Sequence, residues 1–176
     1  MQLTEKTVAK NYVYQGKIIS VRNDDALLPN GAPCKREIIE HSGGACVLCV
    51  NEKGVLMVKQ YRYAYGECVY EIPAGKLEKG EDPMLAAKRE LEEEAGVTAG
   101  SLKLLHVIYP TPGYTNEKIY LYEASDCQMG NAHLDEDEFL TVEYIPLDQA
   151  KEMLCNGEFH DSKTIIALQS YFLKHL

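Results

Sequence analysis

The segment from Gly75 to Val97 constrains this chain more than any other. It reads Gly75-Lys76-Leu77-Glu78-Lys79-Gly80-Glu81, then seven residues, then Arg89-Glu90-Leu91-Glu92-Glu93-Glu94-Ala95-Gly96-Val97. Asp82 suits an N-cap, Pro83 fits the first helical position, and Gly96 can take the left-handed conformation that stops a helix. The spacing therefore predicts a helix over 83–95. On it Met84, Ala87, Leu91 and Ala95 share one face and are expected to pack on a sheet. Glu90, Glu93 and Glu94 fall together on the adjacent flank, where the small Ala86 leaves room, and Glu92 points away into solvent. That flank is poor for stability. Glu90 and Glu94 repel at i, i+4 by about 0.2–0.5 kcal/mol, and the C-terminal half of a helix disfavours anions. Bound cations explain the cluster better than a merely solvated acidic face does. Hard carboxylate oxygens suit Mg2+ or Mn2+ rather than zinc.

The overall charge points the same way. A formal charge of −9 with no long basic run would repel a nucleic-acid backbone, so no nucleic-acid partner is expected. It would also repel a small phosphorylated substrate unless a divalent cation stood between carboxylates and phosphates. No stretch approaches the roughly 20 apolar residues that span a bilayer, and residues 1–11 lack a signal-type apolar core. No membrane partner and a cytoplasmic location are the expectations. Of the 6 cysteines, Cys46 and Cys49 form a Cys-x-x-Cys within an apolar run. In a strand that spacing sends them to opposite faces, and no second Cys or His pair stands at zinc-finger spacing. They read as small hydrophobes. His41, His106 and His160 show no metal spacing and read as structural.

Strand patterns cover 12–21, 25–28 and 35–41, with a turn at Pro29-Asn30-Gly31, and then 45–50, 55–61, 68–72, 102–109, 118–124 and 140–145. Two further helices fit 147–155 and 162–176, broken at Asn156-Gly157. Strands before, between and after helices predict an α/β fold, with a mixed sheet sandwiched by helices. Residues 1–42 form an antiparallel β extension in this reading, and 43–176 the main domain.

Gly75, Glu81, Arg89, Glu90, Glu93, Glu94 and Gly96 at this spacing resemble the Nudix box in full, a match with a chance probability on the order of 10⁻⁸ per start position. The resemblance implies a Nudix-type α/β/α sandwich. It implies Glu90 and Glu94 as main metal ligands, with Glu93 and Glu81 as second-rank ligands or orienters and the Ala74 carbonyl as another ligand. Arg89 would hold the carboxylates in place. Gly75 would permit the loop its backbone conformation and a close approach to the metals.

Segments outside the box are similar to the ADP-ribose pyrophosphatase branch of that family: Gln60-Tyr61-Arg62-Tyr63-Ala64, Glu71-Ile72-Pro73-Ala74-Gly75, Tyr109-Pro110-Thr111-Pro112-Gly113-Tyr114, and Asn30-Gly31 followed by Arg36-Glu37-Ile38-Ile39-Glu40-His41. Pro112 stands 15 residues after Val97, where that branch carries a proline; alone it would read as an ordinary loop proline. The branch implies Mg2+-dependent hydrolysis of ADP-ribose to AMP and ribose 5-phosphate. It implies a general base on an acidic loop, here Glu136, with Glu138 as a further metal ligand. A solvated acidic loop is the alternative. Arg62 and Arg36 are candidates for phosphate and terminal ribose, with Pro112, Gly113 and Tyr14 beside the substrate; each arginine could instead serve a surface ion pair. Family members set their N-terminal strands against a second subunit, so a homodimer is implied, with Arg36 and Tyr14 acting across its interface. Hydrolysis of GDP-mannose, another nucleoside diphosphate sugar or a triphosphate is the main alternative. Non-catalytic nucleotide-sugar binding is a third, which the intact glutamate set disfavours.

Overall fold

The computed structural model describes residues 3–134 and 139–175. By their contacts they form two compact units: Met1–Gly43 with Tyr109–Lys118, and Gly44–Ile108 with Ile119–Leu176.

The first unit is an antiparallel sheet of β1 (Lys6–Ala9), β2 (Tyr12–Gln15), β3 (Ile19–Leu27) and β4 (Pro33–His41). β4 pairs along the whole of β3, while β1 and β2 share its other edge. The β3–β4 turn is the one that Asn30-Gly31 predicts. Gly31 takes φ 84°, its N–H donates to the Leu28 carbonyl at 2.8 Å, and the Asn30 side chain accepts from Ala32 N at 3.0 Å. Tyr109–Lys118 belongs with this sheet because Ile39 N donates to the Tyr114 carbonyl at 2.7 Å, and Asn116 N to the Ile39 carbonyl at 3.2 Å. Beneath it Arg22 is buried with its guanidinium 3.2 Å from Asp24 and 2.8 Å from Glu40.

The second unit is organised by β5 (Gly44–Asn51), whose run Ala45–Val50 has little polar character because both of its faces are covered. Ala45, Val47 and Cys49 enter one apolar cluster, and Cys46 and Leu48 enter the other. Cys46 and Cys49 thus do face opposite ways, and burial pushes both thiols up to about 12, so they behave as inert apolar side chains. Around β5 come β6 (Gly54–Arg62), β7 (Glu67–Glu71), β8 (Ala74–Lys76), β9 (Val97–Thr98), β10 (Ser101–Ile108), β11 (Ile119–Ser125), β12 (Gln128–Met129) and β13 (Leu140–Ile145). The main sheet runs β10-β11-β5-β6-β13, with β7 on β6 and β8 on β5. The β11–β5 pair is parallel and the others antiparallel, so the sheet is mixed, as expected.

Helix α1 (Pro83–Ala95) covers one face through Ala86, Ala87, Leu91 and Ala95. Its ends are those the sequence predicts. Asp82 accepts from Met84 N and Leu85 N, and Gly96 ends the helix at φ 63°. The apolar stripe departs from the expected one: Met84 is 41% exposed while Ala86 is fully buried. The face has rotated towards the small residues, which lets the helix approach β5 closely. Helices α2 (Leu147–Asn156) and α3 (Ser162–Lys174) cover the other face, where Ala150, Ala167, Leu168 and Phe159 join Leu48, Met57, Ile72 and Leu121. No described helix is long and apolar enough to cross a membrane.

Leu91→Ala should cost about 2–5 kcal/mol in urea unfolding, because Leu91 is fully enclosed between α1 and the sheet. Met84→Ala should stay within about 0.5 kcal/mol. Equal losses for the two would contradict this assignment of the buried face.

Candidate active site

The loop between β8 and α1 folds its glutamates back onto the helix. Glu81 N donates to the Glu78 carbonyl at 3.1 Å, and the Glu81 carboxylate accepts from Glu78 N at 2.8 Å. This brings Glu81 over Arg89, one helical turn ahead of Glu93. Arg89 then uses every donor of its guanidinium. Nε and Nη2 donate to the two Glu81 oxygens at 3.0 and 3.1 Å, Nη1 to Glu90 at 2.7 Å and to Glu93 at 2.8 Å, and Nη2 also to the Lys76 carbonyl at 3.4 Å. The hydrogen bond from Arg89 holds Glu81 below the usual carboxylate pKa, and the Glu81 bond heads the causes that raise Arg89. A single cation therefore gathers three carboxylates.

Glu94 is anchored separately. It is 3% exposed, and its Oε2 accepts from Ala74 N at 2.8 Å. That bond aligns the β7–β8 junction with the last turn of α1. The Pro73 carbonyl accepts from Val47 N at 2.9 Å, so the same junction is tied to β5. Gly75 is required for space. A Cβ there would lie 1.9 Å from the Glu90 carboxyl carbon. Gly75 is not among the glycines of positive φ, which include Gly80 and Gly96. What the position cannot accept is a side chain facing Glu90.

Glu81, Glu90, Glu93 and Glu94 supply four negative charges against the single charge of Arg89. All of the donors are oxygens. This set fits a hard divalent cation. Among the described residues no three His, Cys, Asp or Glu side chains are already grouped as an ion cage.

The candidate arginines are both in ion pairs. Arg62, half-buried at the end of β6, donates from Nε to Glu71 Oε1 at 2.5 Å and from Nη2 to Oε2 at 2.6 Å. Arg36 forms a two-pronged pair with Glu5 on the exposed face of the first unit. Tyr14, Pro112 and Gly113 also belong to that unit. Glu136 and Glu138 lie outside the described residues. The histidines have ordinary neighbours: His41 Nδ1 accepts from Gly43 N and stands 3.3 Å from Glu117, His106 bonds Ser170, and His160 stands 3.4 Å from Glu67.

Sequence reasoning missed the buried charges behind Arg62. Glu71, 2% exposed, also accepts from Lys163 Nζ at 2.5 Å, and Lys163 bonds Asp161 at 2.9 Å. A lysine in the first turn of α3 stands at the wrong end of the helix dipole. That misplacement, together with Glu71 in the otherwise apolar run 68–72, is the available signal.

Comparison with known proteins gives the family. Residues 40–168 match the model of the NUDIX domain, and residues 5–39 that of the nucleoside diphosphate sugar hydrolase N-terminal domain. The chain belongs to the Nudix hydrolase family. An ADP-ribose pyrophosphatase of Bacillus subtilis is 42% identical over 98% of this chain and 95% of its own length. A methanol dehydrogenase activator of Bacillus methanolicus is also 42% identical, over 94% of this chain and 91% of its own. The crystal structure of an ADP compounds hydrolase shares the fold at a TM-score of 0.84, with 22% identity over 99% of this chain and 97% of that one.

Gly75→Ala should displace the Glu90 carboxylate and lower kcat by about 100-fold, the usual cost of an ångström-scale misplacement. The melting temperature should stay near that of the wild type. A Gly75→Ala enzyme of unchanged kcat would mean that Glu90 can move without consequence.

Proposed function

We propose that this protein hydrolyses the pyrophosphate bond of ADP-ribose, giving AMP and ribose 5-phosphate, with Mg2+ as cofactor and Mn2+ able to replace it. The observation that carries the reading is the set of carboxylates in which Arg89 gathers Glu81, Glu90 and Glu93, Gly75 packs against Glu90, and Glu94 is anchored on Ala74 N. The substrate follows from the full-length similarity to an ADP-ribose pyrophosphatase. Glu90, Glu94 and the Ala74 carbonyl would hold the cation, with Glu81 and Glu93 beside them and Glu138 as a further ligand. When bound, the cation supplies charge neutralisation at the phosphoryl oxygens and activation of water.

The chain's own groups do the rest. Arg89 keeps the carboxylates from splaying apart. Arg62 offers its guanidinium to a phosphate, which a planar fork suits. Glu136 takes the proton of the attacking water, a contribution of about 10²–10⁴-fold. Arg36, Tyr14, Pro112 and Gly113 recognise the rest of the substrate. The protein acts as a homodimer through its N-terminal strands; the exposed Val8, Val13 and Ile18 of that unit support this.

A second reading rests on the equal similarity to a methanol dehydrogenase activator: the chain acts on a dehydrogenase. The test is a panel of ADP-ribose, GDP-mannose, another nucleoside diphosphate sugar and a nucleoside triphosphate with Mg2+, with products separated by anion exchange. A parallel assay adds the protein to a methanol dehydrogenase. ADP-ribose should be cleaved fastest, to two phosphomonoesters, and EDTA should abolish the reaction. Faster cleavage of GDP-mannose or the triphosphate would overturn the substrate. Stimulation of the dehydrogenase without turnover of any panel compound would favour the second reading.

A further inference from the structure

Buried charges on two elements distant in sequence converge on Glu71. Its carboxylate accepts three hydrogen bonds, two from Arg62 and one from Lys163. The two partners differ in kind. Lys163 is 8% exposed and is held on its far side by Asp161 Oδ1 at 2.9 Å. Asp161 itself is fixed as the N-cap of α3, where its Oδ2 accepts from Thr164 N at 2.9 Å and from Thr164 Oγ1 at 2.5 Å. Thr164 Oγ1 in turn accepts from Ile72 N at 2.9 Å, locking α3 to the residue after Glu71. Burial works against the Lys163 charge, but Asp161 and Glu71 outweigh it and keep the ammonium protonated. Arg62, by contrast, has a side chain 42% exposed and within the electrostatic reach of Glu94. One counter-ion of Glu71 is therefore fixed and enclosed, and the other stands at the solvent edge of the carboxylate cluster.

A buried carboxylate with one partner holds that partner, because letting go strands an unpaired charge. With two partners it can release one. We propose that Lys163 is a positioning residue for substrate binding: as the enclosed second counter-ion of Glu71, it leaves Arg62 able to turn from Glu71 to a phosphoryl oxygen of a nucleoside diphosphate compound. This rests on the hydrolase reading above and on Arg62 as a phosphate ligand. It assigns Lys163, Asp161 and Thr164 to substrate affinity although none of them touches substrate.

The test compares KM and kcat of the full-length protein and of Lys163→Met, Lys163→Arg, Glu71→Gln, the Lys163→Met/Glu71→Gln double variant and Arg62→Ala, on ADP-ribose with saturating Mg2+. Lys163→Met should raise KM by about 10- to 100-fold, the equivalent of one charge-assisted hydrogen bond, with kcat changed far less. Glu71→Gln should not raise KM, since a neutral amide grips Arg62 less. The double variant should recover most of the affinity that Lys163→Met loses, and Lys163→Arg should keep it. A purely structural lysine would give a double variant no better than the single one, and that result overturns the proposal. So does an unchanged KM in Lys163→Met, or a rise in Glu71→Gln as large as that of Lys163→Met. If Lys163→Met does not fold, Glu71→Gln, which keeps the side-chain shape, decides alone: a KM no higher than that of the wild type supports the proposal, and one raised by about 10-fold or more overturns it. Arg62→Ala with wild-type KM would overturn the proposal by removing its phosphate ligand. Absence of turnover by the wild type would instead overturn the hydrolysis of ADP-ribose.

Discussion

The carboxylates of Glu81, Glu90, Glu93 and Glu94 repel one another, and Glu81, Glu90 and Glu93 are held together by the Arg89 guanidinium that lies between them. Two like charges 4 Å apart near a protein surface interact with about 4 kcal/mol at an effective dielectric of 20. That is large compared with the few tenths of a kcal/mol an exposed ion pair usually contributes. A lysine could not replace this arginine, because three donors on one nitrogen cannot serve two edges of Glu81 while bridging Glu90 and Glu93. The excess of negative charge that remains after this pairing is what a divalent cation would neutralise.

The rest of the second unit supports that arrangement. Alternation along β5 gives α1 one face of the sheet and α2 and α3 the other, so the two helical layers meet the site from opposite sides of a single strand. From the α1 side comes the glutamate cluster. From the α3 side come Thr164 and Lys163, which fix Ile72 and Glu71. The junction between β7 and β8 is thereby held at Ile72 N, at the Pro73 carbonyl and at Ala74 N, by α3, β5 and α1 in turn. A segment tied to three elements has little freedom to relax.

Local chemistry made part of this legible in the sequence. The caps of α1, the Asn30-Gly31 turn, the opposite faces of Cys46 and Cys49 and the strands β4, β5, β6, β10, β11 and β13 follow from residue type and period. The expected strands 12–21 and 25–28 are instead β2 (Tyr12–Gln15) and the nine-residue β3 (Ile19–Leu27). β1, β8, β9 and β12 escaped because two to four residues carry too little period to register. The Met84 face was misread because the wheel weighed hydrophobicity, whereas close packing on β5 selected the small Ala86. That Glu90, fifteen residues on, is the group packed against Gly75 is a tertiary contact that no local pattern encodes. The Glu71–Lys163 contact spans a separation of 92 residues, and no local pattern encodes such a contact.

The central claim is that the carboxylates gathered by Arg89 form a divalent-cation site. Electron paramagnetic resonance of Mn2+ titrated into the full-length protein tests it most directly, since bound ion loses the signal of free Mn2+. The wild type should bind Mn2+ with a tight component that the Glu90→Gln/Glu94→Gln double variant lacks, while both proteins keep the same circular-dichroism spectrum. A double variant that binds Mn2+ as tightly as the wild type would contradict the claim.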